Sequence, residues 1–450
     1  MSTTGVLPAE PVAPIGAGQR AGGVLSVYRA ERRKLASQLA IRLLALICLG
    51  GPFVFAAILK VQSGSPTDTL YGVWVHSSGF AVSLVLLAFA GTWGFPLIAG
   101  IVAGDVFSAE DRYGTWKLVL TRSCTRRDVF AGKLLAAATF TVGLVLLTAA
   151  SSLLAGVILV GAHSLVSLSG TVFSGGKSFL LVLVSWLLCI PPTLAFMALA
   201  VLLSIATRNG IMGVIGPGIA ALAMQLLLLV GTGIWAHMLL VASAFNGWHG
   251  LFSAHPFFGP LVVALSVSVL WTVVALDISW ALLRKRDFAG TPISRRQGWG
   301  GPLRVVVALA AAIALIAVAG NWGPAGVTPA RLQHNLIPSF NNLTILQQRE
   351  VGRFIPSNAH LRIALPSCKR RGSTPDGPGE WICSMQIVAP STGALPAQPT
   401  TVAYDLSVQW DGCYKAQSPP AFIGQQLMRD AHGHSVVNPL YTIYGCFNTL

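Results

Sequence analysis

Apolar residues fall along this chain in long blocks, not at the short spacings of a water-soluble fold. A helix needs about 20 apolar residues to cross about 30 Å of hydrocarbon. Seven stretches reach that length, at approximately 41–62, 79–104, 134–161, 178–206, 211–236, 259–283 and 303–321. They predict seven membrane-crossing helices. The fourth contains Pro191-Pro192, and the fifth contains Gly213, Gly216, Pro217 and Gly218. Small residues let membrane helices approach closely and prolines kink them. Residues 1–24 are rich in Pro, Gly and Ala and lack the early apolar core of a secretory signal. They read as a disordered tail. After residue 321 the period shortens, and candidate strands appear at 360–365, 381–388, 402–410 and 440–446. Turn signals separate them, among them Pro375-Asp376-Gly377-Pro378-Gly379 and Asp411-Gly412. The predicted fold is an all-α polytopic membrane bundle, with a six-helix core and a seventh helix. A small domain of mainly-β or α+β type follows at 322–450.

Composition agrees with the pattern. Of the 450 residues, 54% are hydrophobic and 10% are charged, whereas a soluble domain carries about 25% charged residues. The net charge of +15 raises nucleic-acid binding as a function. The positions of the charges exclude it, because the basic residues flank the apolar blocks and do not line one face. Before the first block stand Arg20, Arg29, Arg32, Arg33, Lys34 and Arg42. Between the second and third stand Arg112, Lys117, Arg122, Arg126, Arg127 and Lys133. Arg208 lies in the next connection on that side, and Arg284, Lys285, Arg286, Arg295, Arg296 and Arg304 lie between the sixth and seventh. The opposite loops hold only Lys60 and Lys177. Basic loops stay in the cytoplasm, so the N-terminus is expected inside. An odd number of crossings then carries 322–450 outside the plasma membrane.

Cysteine usage bears on the same question independently. Cys48, Cys124 and Cys189 fall in or beside the membrane part, whereas Cys368, Cys383, Cys413 and Cys446 all fall in the C-terminal domain. An even set in a compact domain points to disulfides and an oxidising compartment. Proximity favours Cys368–Cys383 and Cys413–Cys446, but all three connectivities stay open.

The loop between the second and third blocks carries the richest signal. Ser108 is placed to cap a short helix from Ala109, with Glu110 and Asp111 in its first turn. Thr115–Leu120 is apolar enough to lie on the membrane surface, and Arg126 and Arg127 are placed to meet lipid phosphates. Glu110, Gly114-Thr115, Leu118, Leu120, Thr121, Thr125-Arg126 and Gly132-Lys133 together resemble the pattern of ABC-2-type exporter permease subunits. The amphipathic run 25–39 is similar to that family's interfacial helix. The resemblance covers about 25–290. It implies a coupling loop, about 105–133, that docks on a separate ATPase. Glu110 would be the polar anchor at that contact, beside Thr115 and Arg126. Gly114 would make the tight turn, and Lys133 would fix the third helix at the inner interface. It further implies a second, identical permease half, with ATP and Mg held by the ATPase chains and no cofactor in this one. The seventh helix and the C-terminal domain depart from the family core. Tyr404-Asp405, Asp411-Gly412-Cys413-Tyr414, Asn438-Pro439-Leu440 and Gly445-Cys446-Phe447 resemble an extracytoplasmic domain appended to some actinobacterial permeases, a likeness that carries no activity.

Other features give less. Gly170-Thr-Val-Phe-Ser-Gly175-Gly176-Lys177-Ser178 misses the P-loop spacing. Asp277, inside the sixth block, is expected to pair with the Arg284-Lys285-Arg286 cluster. His237, His249, His255, His432 and His434 match no strong metal pattern. Trp235, Trp248, Phe252, Phe257 and Phe258 read as an aromatic belt, in a loop that is also able to re-enter the bilayer. Asn342-Leu-Thr344 is a glycosylation triplet without expected consequence. No catalytic, cofactor or metal site is expected. The expected function is an ATP-driven exporter permease of unknown substrate. The alternative is a membrane-anchored extracytoplasmic sensor or binding protein, for which one or two crossings would suffice. A membrane-embedded enzyme ranks last, because no acid/base pair supports it. An ATPase co-eluting in mild detergent separates the first reading from the second.

Overall fold

Six of the apolar blocks form helices long and apolar enough to cross a membrane. The computed structural model describes residues 23–62, 66, 69–116, 125–229, 234–253, 255–286, 326–353, 362–372, 374–388 and 399–449. Residues 1–22 of the expected tail and the expected helix 303–321 lie outside these.

Helix α1 (Val24–Ser37) precedes the first crossing, α2 (Leu39–Val61). The second crossing is α3 (Gly79–Phe89), a π-helical turn (Ala90–Gly94) and α4 (Phe95–Ala103), run end to end. A single turn, α5 (Ser108–Arg112), leads towards the third crossing, α6 (Arg126–Leu159). The fourth consists of α7 (Gly175–Leu188) and α8 (Ile190–Thr207), broken at Cys189. Pro191 and Pro192 stand in the first turn of α8, where a missing N–H leaves no bond unmade. The pair therefore starts a new helix. The fifth crossing is α9 (Gly210–Leu229). Short helices α10 (Ile234–Leu239) and α11 (Val241–Ala244) lead to the sixth, α12 (Gly259–Arg284).

With 34 residues, α6 is about 51 Å long and outreaches the hydrocarbon. Its first turns pack against α1 at Gly132, where a Cβ would fall 2.7 Å from the Val27 Cβ. The second and fifth crossings touch through Gly104 and Gly213; a Cβ on Gly104 would lie 2.3 Å from the Gly213 carbonyl carbon. Glycine at these positions lets the backbones meet.

The segment before α12 re-enters the bundle. The Phe245 ring stacks on Phe196 at 6.1 Å and lies 5.7 Å from Phe95. It fills the space over Gly91, within the π-helical turn. Trp248 and Phe252 are not belt residues. They are 2% and 0% exposed, and Phe252 packs edge-on against Tyr71. Phe258 stays exposed.

The C-terminal domain sets one helix on a five-stranded antiparallel sheet. Helix α13 (Pro329–Glu350) starts at Thr328, whose side chain accepts from the Arg331 N–H, with Pro329 in its first turn. The helix was not foreseen from sequence. The strands are β3 (Arg362–Arg370), β4 (Gly379–Val388), β5 (Pro399–Val408), β6 (Cys413–Gln417) and β7 (Thr442–Cys446), adjacent in that order. Alternate residues Trp381, Cys383 and Met385 of β4, and Val402, Tyr404 and Leu406 of β5, are buried. Leu332, Leu336, Phe340 and Leu343 of α13 are buried with them in the same core. Disulfides join Cys368 to Cys383 and Cys413 to Cys446, each across directly paired strand positions.

This domain rests on the end of the bundle away from α1. The segment that imitated a P-loop, Gly170–Ser178, supplies the second strand of a hairpin of β1 (Leu165–Val166) and β2 (Val172–Phe173). Asn342 of the glycosylation triplet donates to the Ser169 carbonyl at 2.8 Å. His249 and Asp411 meet at 2.7 Å, both buried. Arg286, the last residue described after α12, pairs with Asp111 at the α1 end. Gly326, where description resumes, packs on Thr449 at the opposite end.

Candidate functional site: a buried charge cluster at the α1 end of the bundle

Lysine in an apolar helix is costly unless every ammonium proton is bonded. Lys133 is fully buried on α6. Its ammonium donates to Glu31 Oε1 at 2.7 Å, Glu110 Oε1 at 3.0 Å and the Val106 carbonyl at 3.1 Å. These three acceptors come from α1, from α5 and from the turn after α4. Lys34, one helical turn after Glu31, donates to the same Glu110 oxygen at 2.8 Å. One lysine thus ties the second and third crossings to the helix that precedes the first.

Glu110 stands at the centre of this cluster. Gly114 has φ +65°, the left-handed conformation that favours glycine. It turns the chain back so that the Thr115 N–H donates to the Glu110 carbonyl at 3.1 Å and the Thr115 hydroxyl donates to Glu110 Oε2. Burial by itself would raise the Glu110 carboxyl. The Lys133 charge and hydrogen bonds from Lys34, Thr115 and Lys133 outweigh it and bring the group from 4.5 to about 2. The Lys34 ammonium moves upward: its burial opposes the shift, and the Glu110 bond with the Glu31 and Glu110 charges overcomes it.

A second set of contacts holds the rest of the loop. Asp111 accepts from Arg286 at 2.5 Å and from the Trp116 indole at 2.9 Å. Asp105 accepts from Arg112 at 2.7 Å. Ser108 does not cap α5. Its hydroxyl donates to Asp105 and the Gly104 carbonyl, and its N–H donates to Ser204 of α8 at 3.1 Å. Arg126 does not reach outward to phosphates as expected. It donates to the Arg284 and Arg286 carbonyls, both at 2.9 Å, and so closes the open end of α12. Thr125 and Asp128 form a capping box that starts α6. Residues 117–124, including most of the expected surface-lying stretch, lie outside the described residues.

The five expected coupling residues divide into two groups. Glu110, Gly114, Thr115 and Lys133 converge, whereas Arg126 belongs to the neighbouring contact with α12. Glu110 is 4% exposed, so its carboxylate faces the bundle and presents no surface anchor. The exposed tip beyond it is Arg112, Tyr113 and Gly114. Sequence reading gave no site role to Glu31, Lys34, Asp105, Asp111 or Ser204. Asp277 is exposed on α12 and has no ion pair with the Arg284-Lys285-Arg286 cluster or any other group among the described residues; Arg286 of that cluster is held by Asp111. At the far end, His249, Asp411 and Cys413 place donor atoms within 4.8 Å of one another. The Cys413 sulfur is bonded to Cys446 and offers no thiolate.

Fold and site together define a multi-pass membrane protein whose connecting loops are cross-braced at one end and carry a folded domain at the other. Residues 28–215 match the family described as ABC-2 family transporter protein. That stretch includes Glu31, Lys34, Glu110 and Lys133, so the charge cluster lies within the part of the chain that matches this family. No curated protein matches the chain.

Because the Glu110 carboxyl is lowered on folding, its stabilisation is present above about pH 4.5 and is lost as the pH falls towards 2. Thermal midpoints measured between pH 5 and 2.5 are expected to fall less steeply for Glu110→Gln than for the unaltered protein. Equal slopes would show that Glu110 carries no part of the acid response.

Proposed function

We propose that this chain is the membrane-spanning subunit of an ATP-driven exporter. Two identical copies pair and engage two ATPase chains through the loop 105–133. The carrying observation is the buried Lys133 ammonium, which bonds to Glu31 and to Glu110. Force applied at the loop tip reaches α1 and α6 through contacts that are already tight. The tip Arg112–Tyr113–Gly114 is the docking element, and Glu110 is the internal strut behind it. ATP-driven closure of the partners would move these crossings as rigid bodies between two bundle states. ATP and Mg belong to the partner chains.

The charge asymmetry of the loops supports a cytoplasmic α1 end, and the disulfides support an extracytoplasmic C-terminal domain. The opposed positions of Arg286 and Gly326 support a further crossing between them. Co-purification in mild detergent tests the assignment. An ATPase is expected to elute with the unaltered chain, to be lost from Tyr113→Asp without loss of fold, and to be lost from Glu110→Lys together with stability. Absence of any ATPase from the unaltered chain would favour the membrane-anchored sensor.

A further inference from the structure

A cavity of about 560 Å³ opens beneath the C-terminal domain, at the ends of the first and third crossings. Lys60 closes α2 beside it, and His76 and His163 line it from the loops that follow α2 and α6. Glu350, at the end of α13, contributes the one carboxylate that lines the cavity among the described residues. Trp74, Val166 and Leu346 add apolar lining, and Ser77, Ser78 and Ser164 add hydroxyls. Burial lowers His76, which leaves a neutral imidazole able to donate a hydrogen bond. Among the described residues the lining therefore offers one cation, one carboxylate and two imidazoles beside apolar side chains.

The cavity does not end at the protein edge. Val61 and Gln62 also line a groove on the open side of α2, and Val54 and Ile58 carry that groove into a second one reaching Leu43. Both are open, almost wholly apolar strips lined by residues of α2 and its C-cap alone. Gly50 and Gly51 form a saddle along them; a Cβ on Gly50 would meet nothing within 4 Å. Val54 and Ile58 are 61% and 59% exposed. From Gly50 to Val61 the helix rises about 17 Å, about half the hydrocarbon thickness.

We propose that this cavity and groove form a head-selective site for one phospholipid with a zwitterionic head. Its phosphate meets Lys60 and the imidazoles, its amine meets Glu350, and an acyl chain lies along α2 over the glycine saddle. Charge complementarity selects this occupant. A second copy of the chain would cover the apolar groove, but it would have no use for a separated ammonium and carboxylate at the groove's end. The site names a cargo class for the exporter: an amphiphile leaving along α2, with its head taken up under the C-terminal domain. The cargo assignment rests on the transport reading; the binding site does not.

The test is native mass spectrometry of the full chain, released from nanodiscs containing equal phosphatidylethanolamine and phosphatidylglycerol. Phosphatidylethanolamine is expected to be retained about tenfold over phosphatidylglycerol, the scale of one charge-assisted contact. Glu350→Gln should abolish the preference or turn it towards phosphatidylglycerol, whereas Lys60→Ala and Val54→Trp should each lower retention of both. Equal retention by the unaltered chain, a preference that survives Glu350→Gln, or retention of both lipids unchanged by Lys60→Ala overturns the site. High-yield disulfide cross-linking between copies carrying Val54→Cys also overturns it, because a second copy would then fill the groove. ATPase co-elution is scored on the same samples. Its absence with lipid preference intact removes the cargo role alone; its presence with no preference removes the lipid site alone.

Discussion

Lys133→Met is expected to destabilise the membrane part by about 3–5 kcal/mol, the usual cost of breaking a buried ion pair by removing one partner. The substitution conserves much of the volume and leaves the apolar contacts of α6 in place. It removes the charge between Glu31 and Glu110, leaves the Val106 carbonyl without its donor, and leaves Lys34 as the cation bonded to Glu110. The control is Lys133→Met combined with Glu31→Gln and Glu110→Gln. Removing a whole buried charge set is often close to neutral, so the triple variant should recover most of the lost stability. Thermal unfolding of the detergent-purified protein reads both. If single and triple variants unfold at the same temperature, the charges are not coupled and the strut described for the loop does not exist.

The spans were legible because hydrocarbon imposes a length that few other structures need. Six of the seven blocks coincide with membrane-length helices; most ends agree within about three residues, but the third begins at Arg126, eight residues before the expected 134, and the fifth, expected to 236, ends at Leu229. Gly114 and Gly132-Lys133 stood out only through the resemblance of their loop to a family pattern; Gly114 has φ +65° and Lys133 lies on α6. The partners of Lys133 were not readable. Glu31 lies 102 residues away and Glu110 lies 23 away, and an acid on an amphipathic helix looks like any solvated charge until the packing is known. The same reason explains Asp277 and Arg126. Each was matched with the nearest oppositely charged group in sequence or in lipid, whereas the fold brings Asp111 to Arg286 across 175 residues.

In the C-terminal domain the alternating strands were visible and helix α13 was not. Pro338 inside it is a poor helix residue, and its polar face hides the stripe Leu332, Leu336, Phe340 and Leu343. Strand β6 is five residues long and follows the Asp411-Gly412 turn too closely to stand out. Trp248 and Phe252 resembled a lipid belt because sequence cannot show that a second domain covers the loop that bears them.

That covering contact sets the second large expectation. Loss of the Cys413–Cys446 bridge, by the double substitution to serine, should cost more than loss of Cys368–Cys383. Chain entropy scales with the closed loop, and the separations are 33 and 15 residues, which corresponds to about 3.7 against about 3 kcal/mol. The larger difference lies in what each bridge holds. Asp411 accepts from the Cys413 N–H at 3.0 Å with one oxygen and meets His249 at 2.7 Å with the other. Ser253 reaches the Cys446 carbonyl at 3.5 Å. The bridge thus pins both sides of the joint between the C-terminal domain and the bundle, whereas Cys368–Cys383 staples one edge hairpin. Hydrogen exchange at 245–253 is expected to rise in the Cys413/Cys446 double variant and to stay unchanged in the Cys368/Cys383 one. His249→Ala should reproduce the rise with both disulfides intact, because it removes the buried partner of Asp411 while leaving the sheet whole. Unchanged exchange at 245–253 in the Cys413/Cys446 variant would show that the joint is held by apolar packing around Trp248 and Phe252, independently of the bridge.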